Sequence, residues 1–234
     1  MFLVLISLSA AIVASITGFG AAVVLSPFVA VVIDLKQAIV LVAYFVLFTN
    51  IFNVIRLKRH IHLKMVVLFG LPSMLTTLGG AILFNQLDVK AISVILAIII
   101  LAFVAYSFSN KQYEIPRTNG TLILGGALSG VMAGLVGMGG PLRSMFLLSS
   151  NSEKYSYIAT SSILAVLVST TRIGVYLYNG DLQEDYYIYI LPLIVIAFFG
   201  TYVGLKLLSR LSNLAIKRTV LLVLVVLAIK LLLD

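Results

Sequence analysis

The chain has no cysteine, only 8 acidic residues and only 2 histidines among its 234 residues. Without cysteine it can form no disulfide, carry out no thiolate chemistry and hold no iron–sulfur cluster. Its acids fall in predicted loops, near predicted helix ends or at the C-terminus, so no buried carboxylate offers a proton relay or a cation ligand. Both histidines, His60 and His62, lie in one basic loop. We therefore predict no metal site, no cofactor and no enzymatic activity.

Charge of either sign is scarce, since 10% of the residues are charged whereas 62% are hydrophobic. A soluble domain of this size carries far more charge. Apolar stretches of about 18 residues or more recur along the sequence, which indicates an all-α polytopic membrane protein and not a transmembrane β-barrel of short alternating segments. The apolar stretches lie at about 1–33, 35–55, 65–84, 90–109, 119–149, 156–178, 186–208 and 213–233.

The net charge of +8 would suggest nucleic acid as the partner of a soluble protein. Here the basic residues fall mostly in short loops, where they orient a membrane protein and face anionic lipid. We predict membrane lipid as a partner and no nucleic acid. The first apolar stretch has no preceding basic region and no convincing cleavage site, so we expect it to be a retained membrane segment in the cytoplasmic membrane.

The sequence divides into two related halves at the polar segment "SNKQYEIPRTNG" (109–120). "ITGFGAAVV" (16–24) is similar to "LVGMGGPLR" (135–143), and each half carries a later Leu-Pro pair in the same order. We predict a first repeat over residues 1–110, a cytoplasmic linker over 111–118 and a second repeat over 119–234, all in one membrane domain.

Loop charges indicate that the second half is inverted. The loop 56–64 is rich in Lys and Arg and has no acid, whereas its counterpart 179–185 has 3 acids and no basic residue. Eight simple crossings would place the acidic loop in the cytoplasm, against the positive-inside rule. If the first stretch of each half is a helical hairpin broken at glycine and followed by three spanning helices, each half has five helical pieces. Inverted repeats then place 56–64 in the cytoplasm and both termini outside, an architecture typical of transporters.

The hairpin tips are candidate anion sites. Glycines permit a tight turn, Pro141 suits the first turn of a helix, and the free N–H groups there attract a negative charge. A second role for glycine is close helix packing, which we predict for Gly126, Gly130, Gly134, Gly200 and Gly204. The tip residues that we predict to bind substrate are Thr17, Gly18 and Gly20 in the first half and Gly137, Gly139, Gly140 and Pro141 in the second.

Two arginines lie within apolar stretches, where a charge is costly. Arg143 follows the second tip, and Arg172 lies in the sixth stretch at the position that matches Asn53 in the first half. Ser169 likewise matches Asn50, and Thr170 adds a second hydroxyl. We predict that these side chains line the substrate path. The alternative is that Arg172 snorkels to the membrane surface, because its predicted helix end is near.

At these motifs the sequence resembles the sulfite exporter TauE/SafE family of membrane permeases. "GLVGMGGP" (134–141) is the best match, and "TGFGAAVVLSP" (17–27) is a looser match to the first glycine motif of the family. The resemblance covers nearly the whole chain. It implies transport of small sulfur-containing or organic anions, such as sulfite or sulfonates, across the cytoplasmic membrane.

The sequence thus predicts an anion transporter that works by alternating access and binds a small anionic substrate between its two tips. An anion channel would use the same residues along a continuous path. An intramembrane enzyme is the third alternative, which the missing acids and histidines disfavour. The sequence leaves the formation of a homodimer open.

Overall fold

A computed structural model of the chain describes residues 2–17, 20–108, 116, 118–147 and 153–207, together with Val225 and Ile229. Within these residues the regular structure is entirely helical, which confirms the predicted all-α class. Apart from Val225 and Ile229, the predicted segment 213–233 lies outside the described residues, as does most of the linker 111–118. The helices are α1 (Phe2–Thr17), α2 (Ala21–Val29), α3 (Leu35–Leu57), α4 (Leu63–Gln86), α5 (Val89–Phe108), α6 (Asn119–Val136), α7 (Gly140–Leu147), α8 (Lys154–Asn179) and α9 (Ile190–Leu207), with short 3₁₀ helices at Lys58–His60 and Glu184–Tyr189.

In the part of the chain that the structure describes, five helical segments are long and apolar enough to cross a membrane. They contain α3, α4, α6, α8 and α9. Large apolar side chains on their outer faces are exposed, such as Leu75 on α4, which is 72% exposed, and Leu191 on α9, which is 70% exposed. A soluble protein would not leave such apolar faces in contact with water. The chain is therefore a membrane protein with apolar faces turned toward lipid.

Both predicted helix breaks are present. The first apolar stretch is divided between α1 and α2, and the fifth between α6 and α7. Gly137 caps α6 with a backbone φ of 81°, and Gly20 precedes α2 with a φ of 95°. Residues other than glycine rarely adopt such positive values. Pro141 lies in the first turn of α7, where its missing N–H costs no helical hydrogen bond.

The helices of the two halves pack mainly on each other. α4 of the first half packs along α6 and α8 of the second half. In the same way, α9 of the second half packs along α1 and α3 of the first. The two halves therefore contact each other reciprocally. α3 and α8 run antiparallel in contact, because Gln37 near the start of α3 bonds to Asp181 beyond the end of α8, whereas His62 beyond α3 bonds to Thr160 early in α8. The inverted relation of the two halves itself stays a prediction.

Glycine makes the contact between α4 and α6 unusually close, as the packing interpretation predicts. A methyl group at Gly126 would meet the carbonyl oxygen of Phe69, and one at Gly130 would meet that of Ser73. The Oγ1 atom of Thr77 donates a hydrogen bond of 3.1 Å to the carbonyl of Gly130 across this interface. Gly134 faces α4 in the same way, and Gly200 and Gly204 face Ala11 and Ser15 of α1.

Candidate functional site

The two helix breaks meet at the centre of the molecule. A Cβ atom built on Gly20 of the first break would lie 3.9 Å from Nη2 of Arg143 and 4.0 Å from the Cα of Gly140 in the second. A cavity of about 20 Å³ lies at this meeting point. Its apolar walls include Val46 of α3 and Val168 of α8. The cavity brings together seven of the residues predicted from sequence: Gly20, Gly137, Gly139, Gly140, Arg143, Ser169 and Arg172.

Arg172 of α8 points into the protein and not toward the membrane surface. Its side chain is only 2% exposed. Its Nη1 donates to the carbonyl of Gly137 and its Nη2 to the carbonyl of Ile39, each over 3.4 Å, while Nε donates to the hydroxyl of Tyr176 over 3.2 Å. The snorkelling alternative is therefore wrong. Since Ile39 belongs to α3, the guanidinium joins the two halves of the chain.

Arg143 of α7 is buried as well, with 4% of its surface exposed. Its Nε donates a 2.9 Å hydrogen bond to Oγ of Ser161 on α8. The neighbouring Ser144 donates to the carbonyl of Gly140 and accepts a bond from the hydroxyl of Tyr157, both over 2.8 Å. These hydrogen bonds hold the short helix α7 against α8. They thereby also fix the position of the second tip.

The two arginines face neutral groups. In the described ranges a basic and an acidic side chain approach each other at His60 and Glu153, whose Nε2 and carboxylate oxygen lie 4.0 Å apart at the surface. No carboxylate of these ranges pairs with Arg143 or Arg172. Burying a guanidinium without a counter-ion is costly, and an anion bound between the two would offset that cost. The cavity is thus electropositive and lined by glycine backbone.

Those of the remaining predicted residues that the structure describes do not line this cavity. Asn50 is buried on α3, but its amide donates over 2.7 Å to the carbonyl of Val46 on its own helix. Asn53 is also buried on α3, and its Oδ1 has no partner among the described residues. Pro141 is buried in α7 behind Gly140. Gly18 and the side chain of Thr17 lie outside the described residues.

The expectation for Thr170 has to be corrected. Although it follows Ser169, a step of one residue turns a side chain by about 100° around a helix. Thr170 is exposed on the outer face of α8, where it lines a separate groove beside Met74 and Leu78 of α4. It is not brought to the central cavity.

Ser161 and Tyr157 are contacts of the second tip that the sequence prediction missed. They lie about one and two turns before Ala165 along α8, on the face that carries Val168 and Arg172 toward the cavity. Helical periodicity counted backwards from Arg172 would have found them.

A comparison with known families identifies the family of the chain. The sequence profile described as sulfite exporter TauE/SafE matches residues 3–231, nearly the whole chain. No curated protein and no solved structure matches the chain. With five membrane-length helices in its described part and a profile match of this extent, the chain belongs to the sulfite exporter TauE/SafE family of membrane transporters.

Proposed function

We propose that the protein moves small anions, sulfite or sulfonates and related sulfur-containing or organic anions, across the cytoplasmic membrane, and that it binds them in the central cavity. The observation that carries this proposal is the pair of buried arginines without a carboxylate partner in the described ranges, placed beside two glycine-rich helix breaks. Arg172 and Arg143 would neutralise the anion, since guanidinium groups form strong charge-assisted bonds to oxyanions. Amides at the start of α7 and the hydroxyl of Ser169 would complete its hydrogen bonds.

The size of the cavity favours a transporter over a channel. A volume of about 20 Å³ suits about one water molecule and is smaller than a sulfite ion. Substrate therefore needs the two halves to move apart on one side or the other, as in alternating access between inverted repeats. The exchanged packing of α4 and α9 and the antiparallel contact of α3 with α8 support the inverted relation of residues 1–110 and 119–234.

The end of α8 offers one gate. The amide of Gln37 donates over 3.0 Å to the backbone carbonyl of Asp181, and its Oε1 accepts a 3.0 Å bond from the backbone N–H of Gln183. Asn85 of α4 donates to Oδ2 of Asp181 over 3.1 Å. The loop after α8 is thus hydrogen-bonded to both α3 and α4 of the first half. By the loop charges, this gate lies on the outer side of the membrane.

The end of α3 offers the second gate, at the opposite side. The backbone N–H of His62 donates over 3.0 Å to Oγ1 of Thr160 on α8. The ring of His60 lies 5.7 Å from that of Tyr155, and its Nε2 lies 4.0 Å from a carboxylate oxygen of Glu153. At each gate, therefore, the loop that follows one of the helices α3 and α8 is hydrogen-bonded to a residue early in the other helix. The basic composition of 56–64 assigns this one to the cytoplasm.

The outer gate gives a prediction on pH. Burial raises the pKa of Asp181 above its ordinary 3.8, although hydrogen bonds from Asn85 and Asn179 and the charge of Lys36 lower it in part. Because the folded pKa lies above the unfolded one, the stability gained from the protonated form is complete below 3.8 and is lost as pH rises through the folded value. The melting temperature of the wild type should therefore fall relative to Asp181→Asn across that window. Asp185→Asn, an exposed acid of the same loop, controls for the loss of one negative charge; if it behaves like Asp181→Asn, the prediction fails.

Transport itself is tested by sulfite uptake into proteoliposomes of the purified protein, with protein-free liposomes as the control. We expect saturable uptake that a sulfonate inhibits by competition. Uptake that does not saturate and exceeds the rate of conformational cycling would instead identify a channel. Absence of flux with sulfite, sulfonates and small organic anions would contradict the proposal.

A further inference from the structure

Three buried oxygen atoms have no hydrogen-bond partner in the described part of the chain: Oγ of Ser15 on α1, Oδ1 of Asn53 on α3 and Oγ1 of Thr201 on α9. Their residues are 0%, 2% and 1% exposed. Buried polar atoms are nearly always paired in proteins, so unpaired ones require an explanation. Three of them on neighbouring helices point to a bound ligand.

Helices α1, α3 and α9 contact one another, and from their contacts we infer that the three residues face one junction. A Cβ built on Gly204 of α9 would lie 2.8 Å from the Cβ of Ser15, so this face of α9 lies against α1. A different face of α9 lies against α3, because the ring of Phe198 is 4.9 Å from that of Phe52. With about 3.6 residues per turn, Thr201 projects between these two faces. Asn53 follows Phe52 on α3 and is buried.

The chemistry of the junction favours a cation. The Oδ1 atom of an asparagine only accepts hydrogen bonds, so it cannot bind an anion. α1 ends at Thr17, and the last carbonyl groups of a helix lack intrahelical partners and form the negative end of its dipole. No Asp or Glu occurs in α1, α3 or α9 as the structure describes them. Divalent cations are normally bound by carboxylates, so neutral oxygens suit a monovalent ion.

The second half shows what such a cation would replace. Asn53 matches Arg172, whose guanidinium donates to the carbonyl of Gly137 at the end of α6 and to that of Ile39. In the second half, therefore, a fixed positive charge lies beside the helix break. In the first half the equivalent position is neutral and leaves its oxygen unpaired.

We propose that the junction of Ser15, Asn53 and Thr201 binds a monovalent alkali cation such as Na⁺, beside the end of α1. The site is separate from the central cavity, which none of these three residues lines. Its role, to balance the charge of the transported anion, rests on the proposed function. The binding itself does not.

The test is the thermal stability of the full chain in detergent, without sulfite or sulfonate and at constant ionic strength. Na⁺ or K⁺ replaces N-methylglucamine, which is too large for a buried site. We expect the melting temperature of the wild type to rise with the concentration of one alkali cation. Thr201→Val and Ser15→Ala should each raise, by about tenfold or more, the cation concentration that gives half of the maximal stabilisation. This is the loss of affinity expected when one ligand of the cation is removed. Thr49→Val is the matched control, because this buried hydroxyl already bonds to Phe45 of its own helix.

The possible results distinguish a cation bound at the junction from a junction without one. Thr201→Val removes a hydroxyl without a described partner, so in cation-free buffer it should fold and be no less stable than the wild type. If neither Na⁺ nor K⁺ stabilises the wild type, the junction holds water and the proposal is wrong. It is equally wrong if Thr201→Val and Ser15→Ala respond to cations as Thr49→Val does. Sulfite uptake is measured separately, so that proposal and this one can fail independently.

Discussion

Replacing Arg172 by glutamine is expected to reduce sulfite uptake about 30-fold or more while leaving the protein as stable as the wild type. Loss of one partner from a buried charge pair costs about 2–5 kcal/mol, and each 1.4 kcal/mol is about a factor of ten. The bound anion would lose this partner. The measurement is the initial rate of uptake into proteoliposomes at matched protein content.

Stability should persist because Arg172 contributes little to it. Its bonds to Gly137 and Ile39 are long, at 3.4 Å each, and in the described ranges it has no carboxylate partner. Replacing a buried charge that has no counter-ion by a neutral side chain relieves its desolvation cost, which offsets the loss of these hydrogen bonds. Arg56→Gln is the control, since that guanidinium packs over the ring of Tyr202 and away from the cavity. Unchanged uptake by Arg172→Gln would remove this residue from the site, and an unfolded variant would give it a structural role.

The second large effect is expected on folding. Gly126→Ala should lower the free energy of unfolding by about 1–3 kcal/mol, because the added methyl would meet the backbone carbonyl of Phe69 and push α4 away from α6. The contact involves main-chain atoms, which cannot move aside as the end of a flexible side chain can. Unfolding of the purified protein in mixed micelles measures the effect.

Gly79→Ala is the matched control for this prediction. Gly79 lies within α4, yet a Cβ built on it meets nothing within 4 Å. The substitution should therefore stabilise the helix by about 0.5–1 kcal/mol, since glycine is a poor helix former. If the two variants behave alike, helix propensity and not close packing determines the role of these glycines.

Local features of the sequence were sufficient to predict the helix breaks. Gly20 and Gly137 have positive φ, and Pro141 lies in a first helical turn, because these preferences depend only on the residue and its neighbours. The packing glycines followed from their regular spacing in the same way. The resemblance to the family rested on the same glycine motif.

The sequence could not decide the orientation of Arg172, because its partner Ile39 is 133 residues away and belongs to the other half. The contact of Gln37 with the loop after α8 was missed for the same reason, since Gln37 bonds to a residue 144 positions away. Thr170 was placed in the site only because it adjoins Ser169, without regard to the turn of the helix. These features depend on tertiary packing, which residue types alone do not determine.

The unequal charge of the two halves has an electrical consequence. Both buried guanidinium groups, those of Arg143 and Arg172, belong to the second half, whereas the first half offers the neutral Asn53 at the equivalent position. In a rocking transporter the movement of one half against the other then displaces positive charge within the transmembrane field. A full elementary charge moved across 100 mV is worth about 2.3 kcal/mol. If the two halves rock as proposed, membrane voltage would thus bias which side of the cavity opens, and the negative charge of a bound anion would reduce that bias.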